Sequence, residues 1–187
     1  MIHEWRCYRL KAGAAPDYLA LLADEGLPLV TRHLPLMGYW LAETGTLNTI
    51  HHLWSYADWA DRESCRAALA AEEAWVRGFV PKAFALVEEQ RNRLLKITRT
   101  SPAFDAALVR RREQRPARAV GAPLFATDCA TLSSGPSASG AVAAWEAVSG
   151  EPAPLLSLLP RTADPVPGKA LSGADHVVLR PLCFSPL

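Results

Sequence analysis

The chain has 187 residues, half of them hydrophobic, with 20 Lys plus Arg against 19 Asp plus Glu. That length can bury a real core as one large domain or two small ones. The near-neutral charge removes the usual electrostatic footprint of nucleic-acid binding, and no apolar run reaches the eighteen or so residues of a membrane span.

Residues 2–10 alternate and are rich in strand formers, so the N-terminus reads directly as a strand without an apolar leader. Lys11-Ala12-Gly13 breaks that strand, and Pro16 suits a first helical turn. Tyr18, Leu19, Leu21 and Leu22 approximate one helix face, with Gly26 and Pro28 expected to end the helix. Strands follow at 37–43 and 47–54, joined by the hairpin-length Thr44-Gly45-Thr46. Asp58 is a plausible N-cap, with Asp61 in the first turn of a helix running through Arg62, Arg66 and Leu69. A second helical piece spans Trp75 to Val87 around Pro81, and 88–99 supply a last strand. The order β-α-β-β-α-β predicts an α+β, ferredoxin-like unit with an antiparallel sheet over residues 1–102. Its helices cover one sheet face, so the other face needs a second unit packed sheet to sheet.

Beyond residue 102 the texture changes. Residues 103–120, which include Arg110-Arg111-Arg112, read as an Arg-rich linker or solvated helix surface. A turn at Ser133-Ser134-Gly135-Pro136, a short helix from Gly140 to Val148 and a Pro-rich stretch over 152–167 come next. Leu94 to Pro102 lines up with Val178 to Pro186: a basic residue follows an apolar pair and stands five positions before Ser-Pro. Upstream, Leu10-Lys11-Ala12-Gly13 matches Leu132-Ser133-Ser134-Gly135. Residues 121–187 are therefore expected to be a shortened, degenerate second copy, with the central hairpin and second helix largely missing. Pairing is expected either between chains or between the two copies within one chain.

The most distinctive segment is Gly38-x-Trp40-x-x-Glu43-x-Gly45-x-Leu47-Asn48-x-x-x-His52-Leu53-Trp54-x-Tyr56, followed by Arg62-x-x-x-Arg66-x-x-Leu69. With Glu4-x-Arg6-x-Tyr8-x-Leu10-Lys11-x-Gly13 it resembles the NIPSNAP family, as do Trp75, Phe79, Pro81, Gln90 and the closing Phe184-Ser185-Pro186. The resemblance is specific over residues 1–95 and faint over 105–187. It implies a dimeric α/β-barrel built from two ferredoxin-like units, and no defined reaction. Relatives with two full copies keep a His-Leu-Trp element in each; the second half of this chain has none. Other families with this barrel include cofactor-independent monooxygenases, haem-degrading enzymes and small-ring isomerases, and fold alone does not choose among them.

His51 and His52 are adjacent in a strand, so they point to opposite faces and do not share a metal ion. Asn48, His52, Trp54 and Tyr56 fall on one face of their strand, as Glu4, Arg6 and Tyr8 do on theirs. On the uncovered sheet face the two sets would make a small-molecule pocket, with His52 or Glu4 as an acid/base. Equally, they would make a buried polar network at an interface. Arg62 and Arg66 share one helix side, either anchoring the hairpin through Glu43 or clamping a phosphate or carboxylate. His33 is placed in a loop at a pocket mouth, and Trp40 is a candidate wall. No Gly-rich phosphate loop, nucleophile elbow or zinc-spaced cluster is present, so no metal and no cofactor is expected. The scattered Cys7, Cys65, Cys129 and Cys183 read as reduced thiols of a soluble, cytoplasmic protein. Three roles compete: binding of a small molecule or partner, cofactor-free catalysis, and assembly alone.

Overall fold

The computed structural model describes residues 1–136, 138–150, 155–165 and 174–187. Its frame is eight antiparallel strands: β1 (Ile2–Leu10), β2 (Leu36–Ala42), β3 (Thr49–Tyr56), β4 (Val87–Arg99), β5 (Cys129–Ser134), β6 (Ala143–Gly150), β7 (Leu156–Thr162) and β8 (Asp175–Pro181). They close into one barrel in the order β1-β3-β2-β8-β5-β7-β6-β4. The barrel is therefore complete within a single chain, and β2–β8 and β4–β6 are its two seams.

Among the described residues the helices all belong to the first 110. Ala15–Leu21 (α1), a π-helical turn at Leu22–Gly26 and Leu27–His33 (α2) run on as one rod, past the expected stop at Gly26 and Pro28. Pro28 has no N–H to continue this ladder, and the Ala23 carbonyl five residues back accepts from Arg118 N at 2.8 Å. Gly26 serves packing instead: a Cβ there would stand 2.5 Å from the Phe79 ring. In α3 (Trp59–Ala70) the Asp58 side chain accepts from Asp61 N at 2.9 Å, and Asp61 accepts from Ala57 N at 2.8 Å, a reciprocal cap. A π-helical turn (Ala74–Phe79), α4 (Val80–Phe84) and, past β4, α5 (Pro102–Arg110) complete the set.

The Arg-rich stretch after α5 lies strapped across the other helices. Arg112 grips Asp61 at 2.6 Å, Arg118 grips Asp24 at 2.8 Å, and Arg115 N donates to Thr31 Oγ1. The second half departs from expectation more sharply. Gly140 to Val148 is not a helix: Ala143, Trp145 and Ala147 alternate inward on β6, an alanine-rich strand whose composition mimics a helix. β6 and β7 pair antiparallel, and the described second half holds no helix. Of the Pro-rich stretch, 156–162 form β7, whereas 152–154 and 166–167 lie outside the described residues. Ser133, Ala144 and Ser157 of these strands are buried, as are Ala138 and Ala141, and Ala138 N donates to Ser157 Oγ at 3.4 Å.

Two cores result. His3, Trp5 and Cys7 of β1 face the barrel interior, where Trp5 stacks on Trp40 (centroids 5.3 Å, 5°) and meets Trp145 edge-on. Tyr8 and Leu10 face outward with Tyr39, Ile50, Trp54 and Tyr56, under α1 to α4.

Candidate functional site

Strand alternation groups Glu4, Arg6, Tyr8, His52, Trp54 and Tyr56 as the sequence suggests, and β1–β3 register sets Arg6 opposite His52 and Glu4 opposite Trp54. The face differs from the expected one. These residues lie between the sheet and the helices, while the face closed by the second half carries His3, Trp5, Cys7 and His51. Both faces of β1 and β3 are aromatic, so sequence alone did not show which one the helices cover.

A half-open cavity of about 570 Å³ lies on that helix side. Its walls are largely apolar, with Val30, Leu34, Trp54, Trp75 and Phe84 among them, and its polar groups are Arg6, Tyr8, Tyr18, Tyr39, His52, Glu63, Arg66 and Gln90. His52 is 4% exposed, stacked on Tyr39 (4.8 Å, 15°) and met edge-on by Tyr8. Its Nδ1 accepts a 2.6 Å hydrogen bond from Trp54 Nε1. An indole N–H only donates, so Nδ1 is the acceptor and the neutral ring carries its proton on Nε2. That Nε2–H is buried without a partner among the described residues. Burial, with the Arg6 charge behind it, holds His52 well below the ordinary histidine value, so the ring stays neutral.

Glu4 lies beneath this cavity, fully buried. Arg62 holds it in a fork (Nε to Oε2 3.1 Å, Nη2 to Oε1 3.0 Å), and Arg6 Nη1 and Asn92 Nδ2 each donate to Oε1 at 3.0 Å. Burial would raise its carboxyl, but the Arg62 and Asn92 hydrogen bonds and the Arg6 charge hold it below its ordinary value. Arg6 also donates to the Tyr8 hydroxyl at 2.8 and 3.1 Å. Burial raises Tyr8, Tyr18 and Tyr39, so these phenols keep their protons.

The remaining sequence candidates stand elsewhere. Trp40 is inside the barrel, and Glu43 pairs with Arg180 rather than with Arg62 or Arg66. Asn48 takes a left-handed conformation (φ 54°), and its Oδ1 accepts from Gly13 N, a turn-building role. His33 ends α2 and meets Glu72 at 3.1 Å, away from the cavity. Arg62 is spent on Glu4 and Glu63 and lies over the Trp59 ring. The reading missed Tyr18, Tyr39, Trp75, Phe84 and Gln90. Tyr39 is opposite His52 only because of a bulge between Leu36 and Gly38, which no local signal announces.

A second cavity of about 380 Å³ opens inside the barrel mouth, lined by Trp5, Cys7, His51, Arg93, Leu132 and His176 among others. His51 Nδ1 contacts Trp5 Nε1 at 3.1 Å and Cys7 Sγ at 3.2 Å. Burial, then Arg93, lowers its pKa to about 4. Among the described residues, no group of three or more His, Cys, Asp or Glu is placed to hold a metal ion.

The family model described as NIPSNAP matches residues 3–102. The chain belongs to the NIPSNAP family. NipSnap homolog 3A of Homo sapiens is 33% identical over 95 residues, 50% of this chain and 38% of that protein. The chain thus spans less than two fifths of that relative's length. A NIPSNAP family protein of unknown function from Agrobacterium tumefaciens is 42% identical, with a TM-score of 0.52, over 55% of this chain and 92% of its own. An anthrone oxidase-like protein aligns with 100% of this chain and 94% of its own at a TM-score of 0.51 and 11% identity, a likeness of fold alone. Every described residue lining the helix-side cavity, from Arg6 to Gln90, falls inside the NIPSNAP match, whereas the barrel-mouth cavity draws Leu132, Ser134, Leu156 and 175–177 from outside it.

Proposed function

We propose that this NIPSNAP protein binds a small, mainly apolar molecule in the helix-side cavity and carries out no acid–base chemistry on it. One observation carries the reading: the Nε2–H of His52 is a buried donor without a partner among the described residues, at the wall of a cavity large enough for an organic ligand. Leaving such a donor unmet costs on the order of 1–3 kcal/mol, which an acceptor on a bound molecule would recover. The cofactor-free enzyme reading needs a base within reach, and the candidates are committed. Glu4 accepts four hydrogen bonds, and the only lone pair of neutral His52 is given to Trp54. What remains is a recognition surface of donors and aromatic rings.

Residues 121–187 fit the same picture as a second ferredoxin-like copy whose described residues hold no helix. Strands β8-β5-β7-β6 repeat the order β4-β1-β3-β2. Such a copy would close the barrel, and none of its described residues lines the helix-side cavity. A cytoplasmic location is part of the proposal, and cell fractionation checks it. Among the described residues no helix is long and apolar enough to cross a membrane.

Ligand-observed NMR on wild type and Ala67→Trp tests the binding claim, because exposed Ala67 lines the cavity and an indole there would fill its mouth. Small aromatic carbonyl compounds should give saturation transfer in wild type and lose it in Ala67→Trp. Equal transfer in both proteins would remove the cavity from consideration.

A further inference from the structure

The i, i+4 spacing of Arg62 and Arg66 puts both guanidiniums on one side of α3, yet the structure uses them differently. Arg62 is fully engaged, with Glu4 below and Glu63 beside it. Arg66 is half-buried and lines the cavity, and among the described residues it has neither a carboxylate partner nor a hydrogen bond. Its charge acts only at a distance, on the phenols of Tyr8 and Tyr56. A half-buried cation without a counter-charge is unfavourable unless something supplies one.

The surrounding charges show how much is missing. Three guanidiniums, Arg6, Arg62 and Arg66, stand against two carboxylates, Glu4 and Glu63. Both carboxylates already have partners, so the surplus is one positive charge, and it sits on Arg66. The other unmet group of the same cavity, His52 Nε2–H, is a neutral donor. Of the described lining residues, Glu63 is the one carboxylate and is taken by Arg62, while Trp54, Trp75, Phe84, Leu22 and Val80 provide an apolar bed.

We infer that the ligand is an amphipathic organic monoanion, an aryl or alkyl carboxylate or an equivalent singly charged oxyacid, whose anionic head meets Arg66 and whose apolar body lies on the aromatic wall. This inference rests on the helix-side cavity being the binding site, and it adds the sign and number of the ligand's charges. A dianionic phosphate would exceed the one unpaired cation that the described residues place in the cavity, and a cation would face Arg6 and Arg66 with only Glu63 in its favour. Arg66 thus acts as the specificity-determining residue of the cavity.

Two fluorescent probes with one aromatic body separate charge from shape: 8-anilino-1-naphthalenesulfonate, a monoanion, and N-phenyl-1-naphthylamine, which lacks the sulfonate. Both should bind wild type saturably and lose that binding in Ala67→Trp, with the anion roughly ten- to a hundredfold tighter, the range for a hydrogen bond to a charged group. Arg66→Gln should erase most of that preference, read as the ratio of the two probes' affinities in the same variant. Arg66→Lys should keep part of it. Raising the ionic strength should weaken only the anion in wild type, a readout independent of how any variant folds. If neither probe binds, or Ala67→Trp changes nothing, the cavity itself is wrong. If both probes bind equally well, or Arg66→Gln keeps the preference, the cavity stands and the monoanion inference is overturned.

Discussion

Acidification should loosen this protein well before its carboxylates protonate. His3 is fully buried inside the barrel against Phe104 and Trp145, with neither ring nitrogen hydrogen-bonded, and His51 is buried beside Trp5. Burial lowers each pKa from 6.5 to about 4, and His52 is lowered well below 6.5 for the same reason. A group whose folded pKa is depressed binds its proton first in the unfolded chain. The stability it confers is present above 6.5 and is lost as pH falls towards 4. For His3 or His51 the loss at about pH 5 is about 2 kcal/mol each, rising to roughly 3 kcal/mol below pH 4. Against a typical total of about 5–15 kcal/mol, that is a large fraction. Glu4, held below its ordinary value of 4.5, adds to the loss only at lower pH, so a comparison of about pH 7.5 with pH 5 isolates the histidines.

Urea unfolding at the two pH values reads the difference as a shift in midpoint at constant slope. His3→Leu removes one titrating ring and its two unmet polar atoms. It should be neutral or stabilising near pH 7.5 and should cut the pH-dependent loss by about 2 kcal/mol. A wild-type midpoint that does not move between the two pH values would refute the reasoning, and so would a His3→Leu variant with the wild-type pH dependence.

Further outcomes follow from the same structure. Glu4→Gln removes the charge that holds Arg62 and Arg6, so thermal or urea unfolding should show a loss of about 3–5 kcal/mol; a cost below about 1 kcal/mol would mean the network is not what fixes α3 to the sheet. Gly38→Ala would drive a methyl into the Trp40 ring, itself stacked on Trp5, and should cost on the order of 1–3 kcal/mol by denaturation, with wild-type stability as the contrary result. Because the barrel closes within one chain, light scattering should give a mass near 20.3 kDa; a stable dimer would contradict a self-sufficient barrel.

The first hundred residues were legible because strand alternation, the Asp58 cap and hairpin-length turns all pointed to one order of elements. Two kinds of feature were not legible. Gly26 and Pro28 look like a helix stop, yet a π-helical turn absorbs them, and only the Phe79 ring packed against Gly26 shows why a glycine is there. In the second half, Ala143-Ala144-Trp145-Glu146-Ala147 carries helix-forming residue types in a strand, because the barrel interior accepts small side chains around Trp145. For the site, alternation grouped Arg6, Tyr8, His52 and Trp54 but left their side of the sheet open. Tyr39 joined them through a bulge, and Asn48 and Glu43 were drawn off by the turn and by Arg180. Side and register are long-range properties, set by which helices dock and which strands pair.

The adjacent histidines provide the most direct test, since His51 borders the barrel-mouth cavity and His52 the helix-side one. Long-range proton–nitrogen correlation spectra report the tautomer of each ring and its response to added N-phenyl-1-naphthylamine. The account predicts a neutral His52 protonated on Nε2, with its signals moving on titration while those of His51 stay in place. A response at His51 with His52 unmoved would contradict it and transfer the site to the barrel mouth.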